Sequence, residues 1–159
     1  MLSLHSQICR AKFIDNEKEL KKCYDLTVRS YESIEDGFVK ADREFFWNNM
    51  ITSARSGACM ISLYKDETLI GWMMALEGRP FMHSKDRVLS QNYFHSEATG
   101  RTAVEAILRG HRLMLDEAKR RRLPWAMSSS YLDTNKTFLR ILEKDGWTIR
   151  GGIAMKKTN

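Results

Sequence analysis

The chain has 159 residues, 43% of them hydrophobic, which is the size of one domain able to bury a core, so a single domain over 1–159 is expected. A formal net charge of +6 and a pI near 9.3 favour anionic partners in general, whether a nucleotide-like cofactor, a nucleic acid or an acidic protein surface. No apolar run reaches the roughly eighteen residues of a membrane helix, and Met1-Leu2-Ser3-Leu4-His5-Ser6 lacks a signal peptide's charged start and apolar middle, so a cytoplasmic protein is expected.

Ile8 to Ile14 alternates as a first strand, and Asp15 or Asn16 can cap a helix carrying Leu20, Tyr24, Thr27, Val28 and Tyr31 at helical spacing. Glu32 to Lys40 is polar and reads as a loop. Asp42 then caps a second helix with Phe45, Phe46, Asn49, Met50 and Ala54. Ala58 to Tyr64 and Thr68 to Leu76 are apolar strands joined by Lys65-Asp66-Glu67, short enough for an antiparallel hairpin. Met73 and Met74 beside Trp72 read as flexible core filling rather than a ligand-facing stripe.

Gly78-Arg79-Pro80 breaks the pattern before a fourth strand, Arg87 to His95. Ser96 to Thr102 is a loop of small residues. Ala103 to Arg122 is the principal amphipathic helix, with Val104, Ile107, Leu108, His111, Leu115 and Ala118 along one face. Pro124 ends it. Trp125 to Ser129 forms a fifth strand, Asn135 to Lys144 a short helix, and Trp147 to Arg150 with Ile153 to Lys157 a closing hairpin. Cys9, Cys23 and Cys59 have no Cys-x-x-Cys spacing and read as packing residues, so no metal site is expected.

The segment Asn135-Lys136-Thr137-Phe138-Leu139-Arg140-Ile141-Leu142-Glu143-Lys144-Asp145-Gly146-Trp147 resembles the last motif of the GNAT N-acetyltransferase superfamily. The register runs through Asn135, Phe138, Ile141, Lys144, Gly146 and Trp147. Two positions depart: Phe138 stands where the family favours a small residue, and Leu142 where many members carry the tyrosine that protonates the leaving thiolate of coenzyme A. The order of elements is also that of the GNAT fold. The resemblance therefore implies an α/β fold, a single GNAT-like domain with a mixed, mostly antiparallel central sheet flanked by helices.

It also implies acetyl-CoA as cofactor, with its pyrophosphate on backbone amides at the start of the long helix, where unpaired N–H groups and the helix dipole favour an anion. The corresponding residues are Gly100, Arg101 and Thr102. Glu97 replaces the family's cation or amide, and Thr102 its second small residue. The alternative for this segment is that Thr99 or Thr102 caps the helix and Gly100 only shapes the turn. The family's fourth strand splays from its fifth and holds the pantetheine arm through backbone groups, here those of Tyr93, Phe94 and His95, while Asn135 would line the cofactor.

Amine attack needs a base, and His95 and Glu97 at the strand end are the candidates, with Glu77 next; the bland reading makes both surface residues. Tyr131 or Tyr93 would supply the hydroxyl that Leu142 lacks. The nominal function is acetyl transfer to a small amine or a protein amino group. The alternative is a degenerate GNAT-fold protein acting through protein partners, similar to GNAT-like internal virion proteins of short-tailed phages. Nucleic-acid binding ranks last, because the cluster Lys119-Arg120-Arg121-Arg122 falls at a helix end where cations complement the dipole.

Overall fold

The computed structural model describes residues 9–30, 41–80, 82–129 and 137–149. In chain order these form β1 (Cys9–Phe13), α1 (Glu17–Val28), α2 (Arg43–Arg55), β2 (Cys59–Lys65), β3 (Thr68–Gly78), β4 (Val88–Ser96), α3 (Gly100–Arg120), β5 (Trp125–Met127) and α4 (Thr137–Lys144). The strands make one sheet in sequence order, antiparallel from β1 through β4 and parallel between β4 and β5. This is the mixed, mostly antiparallel sheet expected from the sequence. The closing hairpin falls largely outside the described residues.

The local signals act as their chemistry requires. The Asn16 side chain accepts from the Glu19 amide at 2.8 Å, and Glu17 and Glu19 place negative charge at the positive end of α1. Asp42 does the same for Phe45 at 2.9 Å. The β2–β3 hairpin turns at Asp66, whose φ of 53° lies in the left-handed region that aspartate tolerates.

Alternation along β2 and β3 divides the core in two. Cys59, Ile61, Leu63, Met73 and Ala75 face α3, where they meet Ala106, Met114 and Ala118. Met60 and Trp72 face the other way, onto Leu20 and Cys23 of α1 and Met50 of α2. Met73 is fully buried, as core filling requires. Gly110 lets α3 settle on the sheet, since a Cβ there would lie 2.7 Å from Met73 Sδ. Cys23 and Cys59 are buried packing residues whose thiols burial pushes up to about 12.

Three helices end in the same hydrogen-bonded cap. After α2, Gly57 N–H donates to Ala54 and Ala58 N–H to Ser53; after α3, Arg122 to Lys119 and Leu123 to Ala118; after α4, Gly146 to Glu143 and Trp147 to Leu142. This motif needs a left-handed residue at its centre. Gly57 and Gly146 supply it at φ 83° and 92°, whereas Arg122 takes φ 58° with a side chain attached.

Two expectations need correction. Phe45 was expected on the apolar face of the second helix but is 67% exposed; α2 buries only Met50 fully. The long helix was expected to begin at Ala103 and begins at Gly100, because β4 runs on to Ser96 and the Glu97 amide bonds Ile70 O at 2.8 Å, which brings the chain round early. Gly100, Arg101 and Thr102 are therefore the first turn of α3 and not a loop before it.

Candidate functional site at the β4–β5 fork

Parallel pairing between β4 and β5 is brief. Val88, Leu89 and Ser90 pair with Trp125, Ala126 and Met127, after which β5 stops while β4 continues to Ser96. Beyond Ser90, the edge of β4 that faced β5 has no strand partner among the described residues. The fifth strand was expected to reach Ser129. It is shorter because a side chain, not a strand, takes up the next groups: the Ser129 amide donates to Gln91 Oε1 at 3.2 Å, and Ser128 Oγ lies 3.0 Å from the same oxygen.

A bulge sorts the side chains of β4. Gln91 pairs with Ala75 and Tyr93 with Met74, so Asn92 is one residue too many, and its Oδ1 accepts from the Leu76 amide at 3.1 Å. As a result Gln91 and Phe94 both lie on the α3 side, while Tyr93 and His95 lie on the α1 side. Phe94 packs edge-on against Phe138 at 5.2 Å. Tyr93 stacks on Trp72 at 4.6 Å and sits 5.7 Å from Phe46.

His95 and Glu97 come together with the end of α1. The Ser30 hydroxyl donates to Glu97 at 2.9 Å. His95 Nε2 is shielded from solvent and has no hydrogen-bond partner among the described residues. Burial pushes its pKa down, and the nearby Glu97 charge only partly opposes this, so the imidazole is neutral at pH 7.

The first turn of α3 follows directly. Thr99 is its N-cap but makes no side-chain capping bond, and no acidic residue occupies the turn. The amides of Gly100, Arg101 and Thr102 precede the first helical hydrogen bond, from Ala103 N–H to Thr99 O. Gly100 has φ 56°, and where its side chain would project there is nothing within 4 Å. Arg101 is exposed and bonded to Glu105 at 3.1 Å. The Thr102 carbonyl accepts from the buried Cys9 thiol at 3.6 Å, which ties this turn to β1.

The remaining expected residues divide. Leu142 is 1% exposed and packs with Ile107 and Phe138 in a core between α3 and α4, so this position serves packing and offers no proton. Tyr131 and Asn135 lie outside the described residues. The Arg120–Arg122 cluster is largely committed to the fold: Arg120 and Arg121 grip Glu117 at 2.6 and 2.7 Å, which holds that carboxyl down to about 2. Among the described residues no His, Cys, Asp and Glu cluster is placed to hold a metal, and no helix is long and apolar enough to cross a membrane.

Sequence reasoning missed two features here. One is Ser30, whose hydroxyl orients Glu97. The other is His111, fully buried, with Nδ1 2.8 Å from Ile107 O and Nε2 2.7 Å from Ser128 Oγ. Helical spacing placed His111 on the apolar face of its helix but gave no sign of Ser128 or Gln91.

No protein-family model matches the chain, and no curated protein matches it in sequence. Solved structures do. An aminoglycoside 6'-N-acetyltransferase from Acinetobacter haemolyticus superposes with a TM-score of 0.68 at 14% identity, over 94% of this chain and 98% of that one. A ribosomal-protein-alanine N-acetyltransferase from Brucella melitensis gives 0.67 at 9%, over 95% and 99%. A glucosamine-6-phosphate N-acetyltransferase from Arabidopsis thaliana gives 0.64 at 12%, over 94% and 99%. These acetyltransferases are named for different acceptors while sharing one overall fold with this chain, which has the GNAT acetyltransferase fold.

Proposed function

We propose that the protein transfers an acetyl group from acetyl-CoA to a small amine or a protein amino group. The observation that carries this reading is the fork: β4 outruns β5 by six residues, Gln91 to Ser96, and leads straight into an N-terminal helix turn with open amides. An extended amide-containing arm fits a strand edge that no described strand pairs, and a pyrophosphate fits a helix N-terminus with a glycine and no acid in its first turn.

The residues that would hold the cofactor are the amides of Gly100, Arg101 and Thr102 for the phosphates and the backbone of Tyr93, Phe94 and His95 for the arm. Asn135 is assigned to the same groove on sequence grounds. When bound, acetyl-CoA supplies the activated acyl group. The protein's own tasks are to aim that group and to manage protons. Forming the amide removes one proton from the amine nitrogen, and a neutral imidazole can accept it; His95 is the base in this reading, with Glu97 beside it to stabilise the imidazolium. Departure of the thiol needs a proton as well, which Leu142 cannot give; Tyr131 is the nearest candidate in sequence.

The acceptor amine approaches from the α1 side, where His95, Glu97 and Ser30 meet. The burial of Leu142 also favours a second reading, in which the fork binds coenzyme A or a protein without turnover. Isothermal titration with acetyl-CoA, followed by a thiol-release screen over amines, separates the two. Micromolar binding with acceptor-dependent thiol release supports transfer, binding without release supports the second reading, and no binding at millimolar cofactor refutes both cofactor assignments.

A further inference from the structure

We infer that His111, Ser128 and Gln91 form a latch that fixes the opening between β4 and β5, with His111 as a positioning residue for the cofactor arm; that last clause rests on the acetyl-transfer reading. The three side chains come from three elements and meet where the ladder ends. The last rung is Ser90 with Met127, and the next would pair Gln91 with Ser128. Gln91 instead sends its side chain across: its Oε1 accepts from Ser129 N–H and lies 3.0 Å from Ser128 Oγ, whose single proton is directed to His111. A side chain thus replaces the backbone rung, so the Ser129 amide is satisfied without a β4 carbonyl, and no described strand pairs β4 past Ser90 on this side.

His111 anchors this substitute rung to α3. Its Nδ1 faces the Ile107 carbonyl, an acceptor only, so Nδ1 carries the proton and Nε2 of the neutral ring accepts from Ser128. The ring is held on its other sides by Phe94 at 5.8 Å, Phe138 at 5.3 Å and Trp147 at 5.7 Å, from β4, α4 and the turn after α4. Every element around the fork therefore bears on one imidazole. The acidic group facing it is Asp145, itself held by two hydrogen bonds from Arg112. An aromatic pocket this dry would be filled at less cost by phenylalanine. What histidine adds is a directional contact that sets where Ser128 sits, and with it the width of the fork.

The test uses the full chain with Ser128→Ala, Ser128→Thr, His111→Gln and, as a control that loosens the core from β2, Leu63→Ala. Acetyl-CoA affinity by calorimetry, melting temperature and Ser129 amide exchange by NMR are read for each. Losing one buried hydrogen bond should weaken acetyl-CoA binding about tenfold in Ser128→Ala. Ser128→Thr keeps the hydroxyl and should bind to within about threefold of wild type, His111→Gln loses the ring-fixed contact and should weaken binding about as much as Ser128→Ala, and Leu63→Ala should lose stability with no comparable loss of affinity. The Ser129 amide should exchange about tenfold faster in Ser128→Ala. Wild-type affinity in Ser128→Ala, or an equal loss in Leu63→Ala, would overturn the positioning role. If wild type itself does not bind acetyl-CoA, the transfer reading fails separately, and the exchange rate then decides the latch: an unchanged Ser129 amide would overturn it.

Discussion

Acidification should destabilise this fold through His111 in a defined window. The imidazole is fully buried, and burial pushes its pKa from the ordinary 6.5 down to about 4, against smaller opposing effects from the Ile107 carbonyl and Asp145. The folded value lies below the unfolded one, so the stability this neutral ring contributes is complete above pH 6.5 and is lost as pH falls through the folded pKa. Between those values the unfolded chain takes up a proton that the folded chain refuses. The full gap is worth about 3 kcal/mol, and at pH 5 the loss is already about 2 kcal/mol. His111→Gln fills the site without a titrating group. Urea unfolding of both proteins, followed by Trp fluorescence at pH 7 and pH 5, should show wild type losing about 2 kcal/mol more than the variant. His95 and the carboxylates titrate in both and cancel. Equal losses, or an NMR titration of the His111 ring near 6.5, would refute the reasoning.

Other positions give sharper yes-or-no outcomes. A Cβ at Gly71 would lie 2.4 Å from the His95 carbonyl, which is backbone and cannot swing away, so Gly71→Ala should cost about 3 kcal/mol in thermal melts. An unchanged melt would mean that β3 and β4 are not in this register. Arg122→Gly should stabilise by about 1 kcal/mol in urea unfolding, since glycine relieves the left-handed strain at the α3 cap; a loss would show that the Arg122 side chain makes an offsetting contact. For the proposed chemistry, His95→Gln should lower kcat about a hundredfold or more while leaving acetyl-CoA affinity near wild type. Full activity in that variant would move the base to Glu97.

The order of elements was legible because each hydrophobic period is local. So were the caps at Asn16 and Asp42, whose signals lie within a few residues of the groups they satisfy. The start of α3 was not. Apolar periodicity begins at Ala103, but the helix begins where β4 delivers the chain, and that depends on a hydrogen bond from Glu97, just past β4, to Ile70 of β3. Phe45 misled because an aromatic residue at helical spacing says nothing about whether a partner surface exists opposite it. The fork was foreseen only through the family resemblance, since backbone recognition leaves no residue signature. Gln91 and Ser128 are 37 positions apart, and no pattern in either segment marks them as partners. Gly100 to Thr102 lie at the head of α3, and their proposed cofactor role, like the catalytic assignments to His95 and Glu97, stays a proposal for the binding and kinetic tests.

Asn92 makes the two functional faces of β4 a matter of parity. Strand residues alternate sides, so no point substitution can move His95 or Phe94 across the sheet; only a change in residue count can. Deleting Asn92 would join Gln91 to Tyr93, which already stand opposite the consecutive residues Ala75 and Met74, so the bulge would close with both faces kept and only the Asn92–Leu76 bond lost. Sequence drift can therefore rewrite nearly every letter of this strand while the layout survives, provided the count of residues paired with β3 is kept. Insertions should be tolerated in the turn at 82–87, but a further residue between 91 and 95, where the bulge already holds one extra, should not be.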